Sequence, residues 1–476
     1  MLEEMNQLLE TVLSREFENF TALQSCQQLS AGASQETWRI HYQGLQGNNE
    51  VQQLALRRSQ PTAVHGSSVG EITLETEAEL FQLAVNAGIP GPKVFYVLRP
   101  EDQLGSGFIM QWLDGETLGQ RINKAPELAD IRPRLARQCG EILGQIHKLE
   151  WRDTVLADQL PSVSPAALVD QTWEYYRDLS VPVPMIDYTW RWLRENLPSN
   201  SRHTLVHGDF RNGNLMVTPA GINAVLDWEL AHIGDPVRDL GWLCVNSWRF
   251  GNKDLPVGGF GNIEELLAGY QKTSGLEVDL QALQFWQVFG SFWWAVTTLT
   301  MAHSWRTGET PSLERPVIGR RSSEAQMDCV NLLIPGSYSL PNGDEPIANG
   351  TQLPMPAELI EGVAVFLKET IATQLAEQQD THNQFLARVA ANSLRIAQRE
   401  LQHGSELAKQ ETARLKLLLQ DDGELDSLRW KLTNQLRGSL PLDTQGLAEH
   451  LRQTVAGQIF LDQPSYSALK NNVHSN

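Results

Sequence analysis

The chain has 476 residues, of which 41% are hydrophobic and 20% charged, and its formal net charge is −19. Its length exceeds the size at which one hydrophobic core usually stops growing, so two or three structural units are expected. The acidity disfavours a nucleic-acid footprint or attraction to an anionic membrane, and leaves a small-molecule partner open.

The opening MLEEMNQLLETVLSREFENF reads as a helix; it carries Glu3 and Glu4 where a secretory signal carries positive charge, and no apolar run follows. With Cys26, Cys139, Cys244 and Cys329 too far apart for any CxxC pair, the expectation is a cytoplasmic protein with reduced, structural thiols. The segments TWRIHYQ and VQQLALRR alternate like antiparallel strands. Before them, LSAGASQETWRI places Ser30, Ala31, Gly32, Ala33 and Ser34 in a small-residue turn whose backbone N–H groups are able to approach a phosphate, although most such turns merely turn. In EITLETEAELFQLAVNAG the residues Leu74, Ala78, Phe81 and Ala84 or Val85 recur at helical spacing, up to Gly88 and Pro90. Strands KVFYVL and GFIMQWL follow, and from about residue 117 the pattern is mainly helical.

The uncharged run Leu280 to Trp305 is long enough to span a bilayer. Gln281, Gln284, Gln287, Ser291 and several threonines interrupt it, so a buried helix is expected instead. PGSYSLPNGDEPIANGTQLPMP marks an exposed linker. Beyond it, FLARVAANSLRIAQREL sets Leu386, Val389, Ala390, Leu394, Ala397 and Leu401 on one stripe of a small helical bundle, and the tail after Gln463 reads as frayed. The expected organisation is a sheet-containing lobe over residues 1–115, a helical lobe over 116–335, a linker over 336–356 and a helical domain over 357–462.

Polar chemistry concentrates in VHGDFRNGNLMV, residues 206–217. The following LMV, TPAG and INAVLDW predict a hairpin, with Leu215 and Val217 on a face that Ile222, Ala224 and Leu226 are able to share. Folding it brings Asn214 and Asp227 together near Asp209. An amide oxygen and a carboxylate are hard ligands of the kind Mg²⁺ accepts alongside phosphate oxygens and water. Phosphoryl transfer needs such a metal, a cation on the donor phosphates and a carboxylate to orient the attacking hydroxyl, which makes Asp209 the candidate base and Asn214 and Asp227 the candidate metal ligands. The alternatives are a polar turn on an ordinary hairpin, or a metal site built on His207 and Asp209, which lacks further ligands at suitable spacing.

VHGDFRNGNLMV together with VLDWE resembles the aminoglycoside phosphotransferase group, which includes choline-kinase-like enzymes. Over roughly residues 20 to 335 the resemblance implies an α+β, bilobal protein-kinase-like fold: an antiparallel sheet with a helix, then a mainly helical lobe. It implies ATP-dependent transfer of the γ-phosphoryl group to a small-molecule hydroxyl, with Mg²⁺, and His207 as a support of the loop. Arg57 falls where relatives carry a lysine that grips the nucleotide phosphates, with Arg58 as the other candidate; a changed grip is also what a nucleotide-binding protein without turnover would show. Glu77 fits the partner carboxylate, the alternative being a solvated helix face with Glu75 and Glu79. Gln111, Trp112 and Leu113 fit the hinge that meets adenine. Asp235 and Asp239 read as structural, Asp235 as a helix cap, and Glu229 is open.

Trp242, Asn246, Trp248 and Arg249 follow the metal aspartate and are candidates for the acceptor pocket. GASQETW, LRR and the arginine-bearing stretch after DWE are similar to a branch fused or adjacent to acyl-CoA dehydrogenases, which implies a hydroxyacyl-CoA acceptor; an amino sugar or amino alcohol is the alternative. Coenzyme A would need local cations, for which Arg249, Arg306, Arg315, Arg320 and Arg321 are candidates. The last hundred residues are similar to a helical domain of unknown function, with Arg388 and Asn392 one turn apart, as a partner contact or, more simply, an exposed helix face; a role in homodimerisation or in closure over substrate is a hypothesis for it.

Overall fold

The computed structural model describes residues 2–31, 35–44, 51–59, 72–309, 312–341, 356–378 and 380–471. An opening helix, Leu2–Glu16, leads into five antiparallel strands: β1 (Phe20–Ala31), β2 (Glu36–Gly44), β3 (Val51–Arg58), β4 (Val94–Val97) and β5 (Gly107–Gln111), in the order β1-β2-β3-β5-β4. Alternation along the strands divides their side chains between two faces. Trp38, Ile40, Leu54 and Leu56 pack with Met5, Leu9, Val12 and Leu13 of the opening helix. Ala55, Phe108 and Met110 face the other way, onto Leu74, Ala78, Phe81 and Ala84 of the helix Leu74–Asn86. Thr73 starts that helix by accepting the Thr76 backbone N–H at 3.2 Å, and Gly88 in the left-handed region at φ +83° ends it. The predicted single apolar face is wider than expected, because Thr76, Glu77 and Leu80 are buried too.

In the helical lobe the helices Leu135–Ile146 and Ile263–Ser274 approach through glycine: a Cβ on Gly140 would lie 2.0 Å from the Leu266 carbonyl oxygen, and one on Gly269 would lie 2.2 Å from that of Arg137. The uncharged run forms the helix Leu280–Arg306, buried through Phe285, Phe289, Phe292 and Val296 against Val169, Tyr176 and Ile186. Among the described residues no helix is long and apolar enough to cross a membrane.

Two short two-stranded elements interrupt the helices. β6 (Thr204–Val206) pairs with β9 (His232–Gly234), and β7 (Leu215–Thr218) pairs with β8 (Gly221–Val225). The β7–β8 hairpin has the predicted position with a different register. An irregularity between Met216 and Val217 sets Leu215 opposite Val225 and Val217 opposite Ile222, so Ala224 faces Met216 instead of sharing the Leu215 face.

The C-terminal helices Thr381–Leu419, Leu425–Arg437 and Leu447–Asp462 do not close on themselves alone. Leu415, Leu432, Leu451 and Val455 share a core with Met185, Tyr188, Met327 and Val330 of the preceding lobe. Arg437 crosses to Asp187, Nε to Oδ1 2.7 Å. Two expectations are corrected here. The long helix buries Ala387, Ala391 and Ile396 and leaves Leu401 62% exposed, because it is flanked by different neighbours along its length. The described residues beyond Gln463, up to residue 471, are docked, with Ala468 and Leu469 buried in the shared core and the Tyr466 hydroxyl donating to Asp328 Oδ2 at 2.8 Å.

Gly140→Ala tests the close helix pair: the added methyl has no space beside the Leu266 carbonyl, so thermal unfolding should show a loss of about 1–3 kcal/mol. An unchanged melting temperature would mean that the two helices separate at no cost.

Candidate active site

The two arginines at the end of β3 separate by the strand's period of two. Arg57 follows Ala55 to the face of the Leu74–Asn86 helix, where Nε donates to Glu77 Oε2 at 2.9 Å and a terminal nitrogen donates to Asp227 Oδ1 at 2.6 Å. The same nitrogen lies 3.6 Å from Glu229 Oε2. Arg58 follows Leu56 to the opposite face and donates to Glu36 Oε2 and the Leu104 carbonyl. Geometry thus places Arg57, and not Arg58, against the hairpin. Burial works against the Arg57 charge, but Glu77, Asp227 and Glu229 outweigh it and hold the proton more firmly than usual. Glu77 is buried rather than on a solvated face; burial pushes its carboxyl up, against the pull of Arg57 and the Trp228 N–H, which donates to Oε1 at 3.1 Å.

The loop between β6 and β7 is built around Asp209. Its Oδ1 accepts from Trp242 Nε1 at 2.7 Å and from Arg211 Nε at 3.0 Å, and its Oδ2 accepts from Asn214 Nδ2 at 2.6 Å. The Asn214 amide is therefore turned with its nitrogen to Asp209, which leaves Oδ1 as the free oxygen. Asn214 and the end of β8 meet through the Leu226 N–H, which donates to the Asn214 carbonyl at 2.8 Å. Asp227 follows directly, in the left-handed region at φ +66°. That conformation costs a non-glycine residue about 1–3 kcal/mol and is found where the surroundings impose it.

His207 is fully buried. It accepts the Asp209 backbone N–H on Nδ1 at 3.2 Å, so Nε2 carries the proton and donates to the Leu226 carbonyl at 3.1 Å. Burial pushes its pKa down and keeps it neutral. Among the described residues no group of three or more His, Cys, Asp or Glu side chains is placed to hold a metal ion. Asn214 Oδ1 and the Asp227 carboxylate fit an ion that takes most of its oxygens from phosphate and water, as Mg²⁺ does.

Asp239 anchors the loop from beneath. Oδ2 accepts the His207 N–H at 2.8 Å, Oδ1 accepts the Gly208 N–H at 2.9 Å, and His147 Nε2 lies 3.2 Å from Oδ2. Burial opposes ionisation, yet the His147 contact, with His207 and Arg238, holds the Asp239 carboxyl down at about 2. Asp235 accepts the Val237 N–H at 3.0 Å and caps the following helix.

The remaining expected residues are less converged. Ser30 and Ala31 end β1 opposite Thr37 and Glu36, while Gly32, Ala33 and Ser34 lie outside the described residues. Gln111 has its N–H engaged by the Lys93 carbonyl at 2.8 Å, and Trp112 and Leu113 follow the end of β5. Trp242 and Trp248 are buried in an aromatic cluster with Trp293 and Trp294, and Arg211 stacks 4.4 Å from the Trp248 ring. The five arginines expected to receive coenzyme A do not form a ready cationic site. Arg249 donates to the Cys244 carbonyl, Arg315 to Ser304, Arg320 to Asp462 and Glu400, and Arg321 to Glu324; Arg306 is exposed. Four of the five thus have an acceptor within the protein. Two contacts are not legible in the sequence: Trp242, expected only as an acceptor-pocket residue, donates its indole N–H to Asp209, and His147 lies under Asp239, 92 residues away. Nothing local signals either.

Asp239→Ala would leave His147 Nε2 and two buried N–H groups unpaired, and is expected to destabilise the protein by about 3–5 kcal/mol at neutral pH. Because the folded pKa is depressed, the contribution is complete above the unfolded value of 3.8 and is lost as pH falls towards about 2. The difference between the two proteins in denaturant titrations should therefore narrow by about 2 kcal/mol between pH 4 and 2; a constant difference would contradict this role.

Comparison with known proteins agrees with the geometry. Residues 25–276, more than half of the chain, match the phosphotransferase enzyme family, and residues 362–466 match a domain of unknown function, DUF6285. The chain is 28% identical over 243 residues to acyl-CoA dehydrogenase family member 10 of Mus musculus, a match covering 46% of this chain and 22% of that protein. It is 25% identical over 287 residues to family member 11 of Gallus gallus, covering 56% and 35%. These matches thus span about a third or less of those relatives. The solved structure of a Ralstonia eutropha protein described as an aminoglycoside phosphotransferase aligns with a TM-score of 0.55 at 19% identity, covering 68% of this chain and 96% of that one, which shows the same fold. With its kinase-like sheet and helical lobe and a further helical region behind them, the chain belongs to the phosphotransferase enzyme family.

Proposed function

We propose that the protein transfers the γ-phosphoryl group of ATP to a hydroxyl of a small molecule, and that the acceptor is a hydroxyacyl-CoA. The observation that carries the transfer is the placement of Asp209, held by Asn214 and Trp242, beside a hairpin whose Asp227 is joined to the Arg57–Glu77 pair. Three donors fix the Asp209 carboxylate, so it meets an incoming hydroxyl in one orientation. It takes the hydroxyl proton as that oxygen bonds to the γ-phosphorus and the bond to the ADP oxygen breaks. Arg57 reaches the donor phosphates while Glu77 steadies its guanidinium. Asn214 Oδ1 and Asp227 would hold Mg²⁺, which supplies charge neutralisation on the phosphates when bound.

The nucleotide's base would meet Trp112 and Leu113, since the Gln111 N–H is engaged, and its phosphates would lie under the Ser30 to Ser34 turn. The acyl-CoA class of acceptor is supported by similarity to proteins named as acyl-CoA dehydrogenase family members. Amino sugars and amino alcohols are the competing acceptors and belong in the same test.

A mass-spectrometric screen for ATP-dependent phosphoryl addition across hydroxyacyl-CoAs, amino sugars and amino alcohols tests the reading. Asp209→Asn is expected to lower kcat by roughly 10²–10⁴-fold while leaving ADP affinity unchanged; full activity in that variant would remove Asp209 as the base. Arg57→Lys keeps the charge and loses the fork that spans Glu77 and Asp227. Its KM for ATP should rise by about tenfold, and an unchanged KM would place the phosphate grip elsewhere.

A further inference from the structure

Between the helical lobe and the C-terminal helices lies a cavity of about 290 Å³, walled by Asn246, Phe250 and Arg321 on one side and by Asn392, Asp462 and Tyr466 on the other. That volume is close to the lower end of small-molecule sites, ~300 Å³. A chain of contacts links its wall to the candidate base. Phe250 packs on Gly119 and beside Asn212 of the Asp209 loop: a Cβ added to Gly119 would lie 2.1 Å from the Phe250 ring and 2.9 Å from the Asn212 side chain. The Asn212 amide donates to the Trp248 carbonyl at 3.0 Å and to that of Gly258. Trp248 in turn meets Trp242, whose indole holds Asp209. The wall that faces the cavity is thus attached to the loop that carries the chemistry.

The charges in this wall cancel internally. Arg320 pairs with Asp462 at 3.2 Å and with Glu400, and Arg321 pairs with Glu324 at 3.2 Å. An entering phosphate would have to displace these carboxylates, whereas an amide or hydroxyl needs only a donor or acceptor. The Asn392 amide has no hydrogen-bond partner among the described residues, whereas the Asn246 amide is engaged by Asp328 and Tyr466 and lies 3.4 Å from the Ser467 hydroxyl. Side-chain amides both donate and accept, which matches an uncharged chain carrying amides and hydroxyls.

We infer that this cavity is the subsite for the uncharged, amide-bearing part of the acceptor, so that the C-terminal helical region completes the acceptor site through Asn392. For a hydroxyacyl-CoA, on which this assignment of the ligand rests, that part is the pantetheine arm next to the thioester. The terminal phosphates stay outside the neutralised wall.

Calorimetry on the full chain tests this without turnover, with S-acetylpantetheine as one probe and adenosine 3′,5′-bisphosphate as the other. S-acetylpantetheine is expected to bind the wild type and to bind Asn392→Leu about tenfold more weakly, while the bisphosphate fails to displace it. No binding of S-acetylpantetheine, equal binding by the variant, or displacement by the bisphosphate would each overturn the assignment. Turnover separates the two levels. Asn392-dependent binding without phosphorylation of any hydroxyacyl-CoA would sink the proposed reaction and keep the subsite. Phosphorylation with a KM unmoved by Asn392→Leu would keep the reaction and sink the subsite.

Discussion

The ion-pair network of Arg57, Glu77 and Asp227 joins the two lobes, and the candidate site is arranged around it. Arg57 comes from the sheet, Glu77 from the helix packed on it, and Asp227 from the hairpin of the helical lobe. Glu77 is almost wholly buried, so a carboxylate there persists only with its charge and lone pairs answered. Arg57 answers one oxygen and the Trp228 N–H the other. The Arg57 guanidinium is therefore already aimed and already backed where the proposed nucleotide phosphates would meet it.

The Asp209 loop is held by a second layer of the same kind. Asp239 collects two backbone N–H groups and His147, while His207 ties the Asp209 backbone to the carbonyl that precedes Asp227. The candidate catalytic carboxylate, the hairpin and the ion-pair network are thus linked through His207. The C-terminal helices extend this frame. They share a core with the helical lobe, and their last turn docks through Tyr466 onto Asp328.

Much of this was legible because the information is local. VHGDFRNGNLMV and the hairpin after it lie within 22 residues, where turn chemistry and strand alternation suffice to bring Asn214 and Asp227 to one end. The separation of Arg57 from Arg58 follows from the same period of two, once Ala55 and Leu56 are known to face different helices. What escaped depended on distant partners. His147 reaches Asp239 across 92 residues, and Trp242, one of fourteen tryptophans, is distinguished only by the carboxylate at its indole nitrogen. The arginines after the hairpin misled for the complementary reason: charge is visible in a sequence, but the carboxylates that neutralise it, such as Asp462 for Arg320, are not. The docked tail was also hidden, since two small hydrophobic residues carry no period.

Asp227 is the proposed meeting point of metal, phosphate and Arg57. The most direct measurement is ADP affinity by calorimetry, with and without Mg²⁺, in the wild type and in Asp227→Asn. Mg²⁺ should tighten ADP binding to the wild type, and that gain should vanish in the variant while metal-free affinity is kept. An equal gain from Mg²⁺ in both proteins would contradict the account.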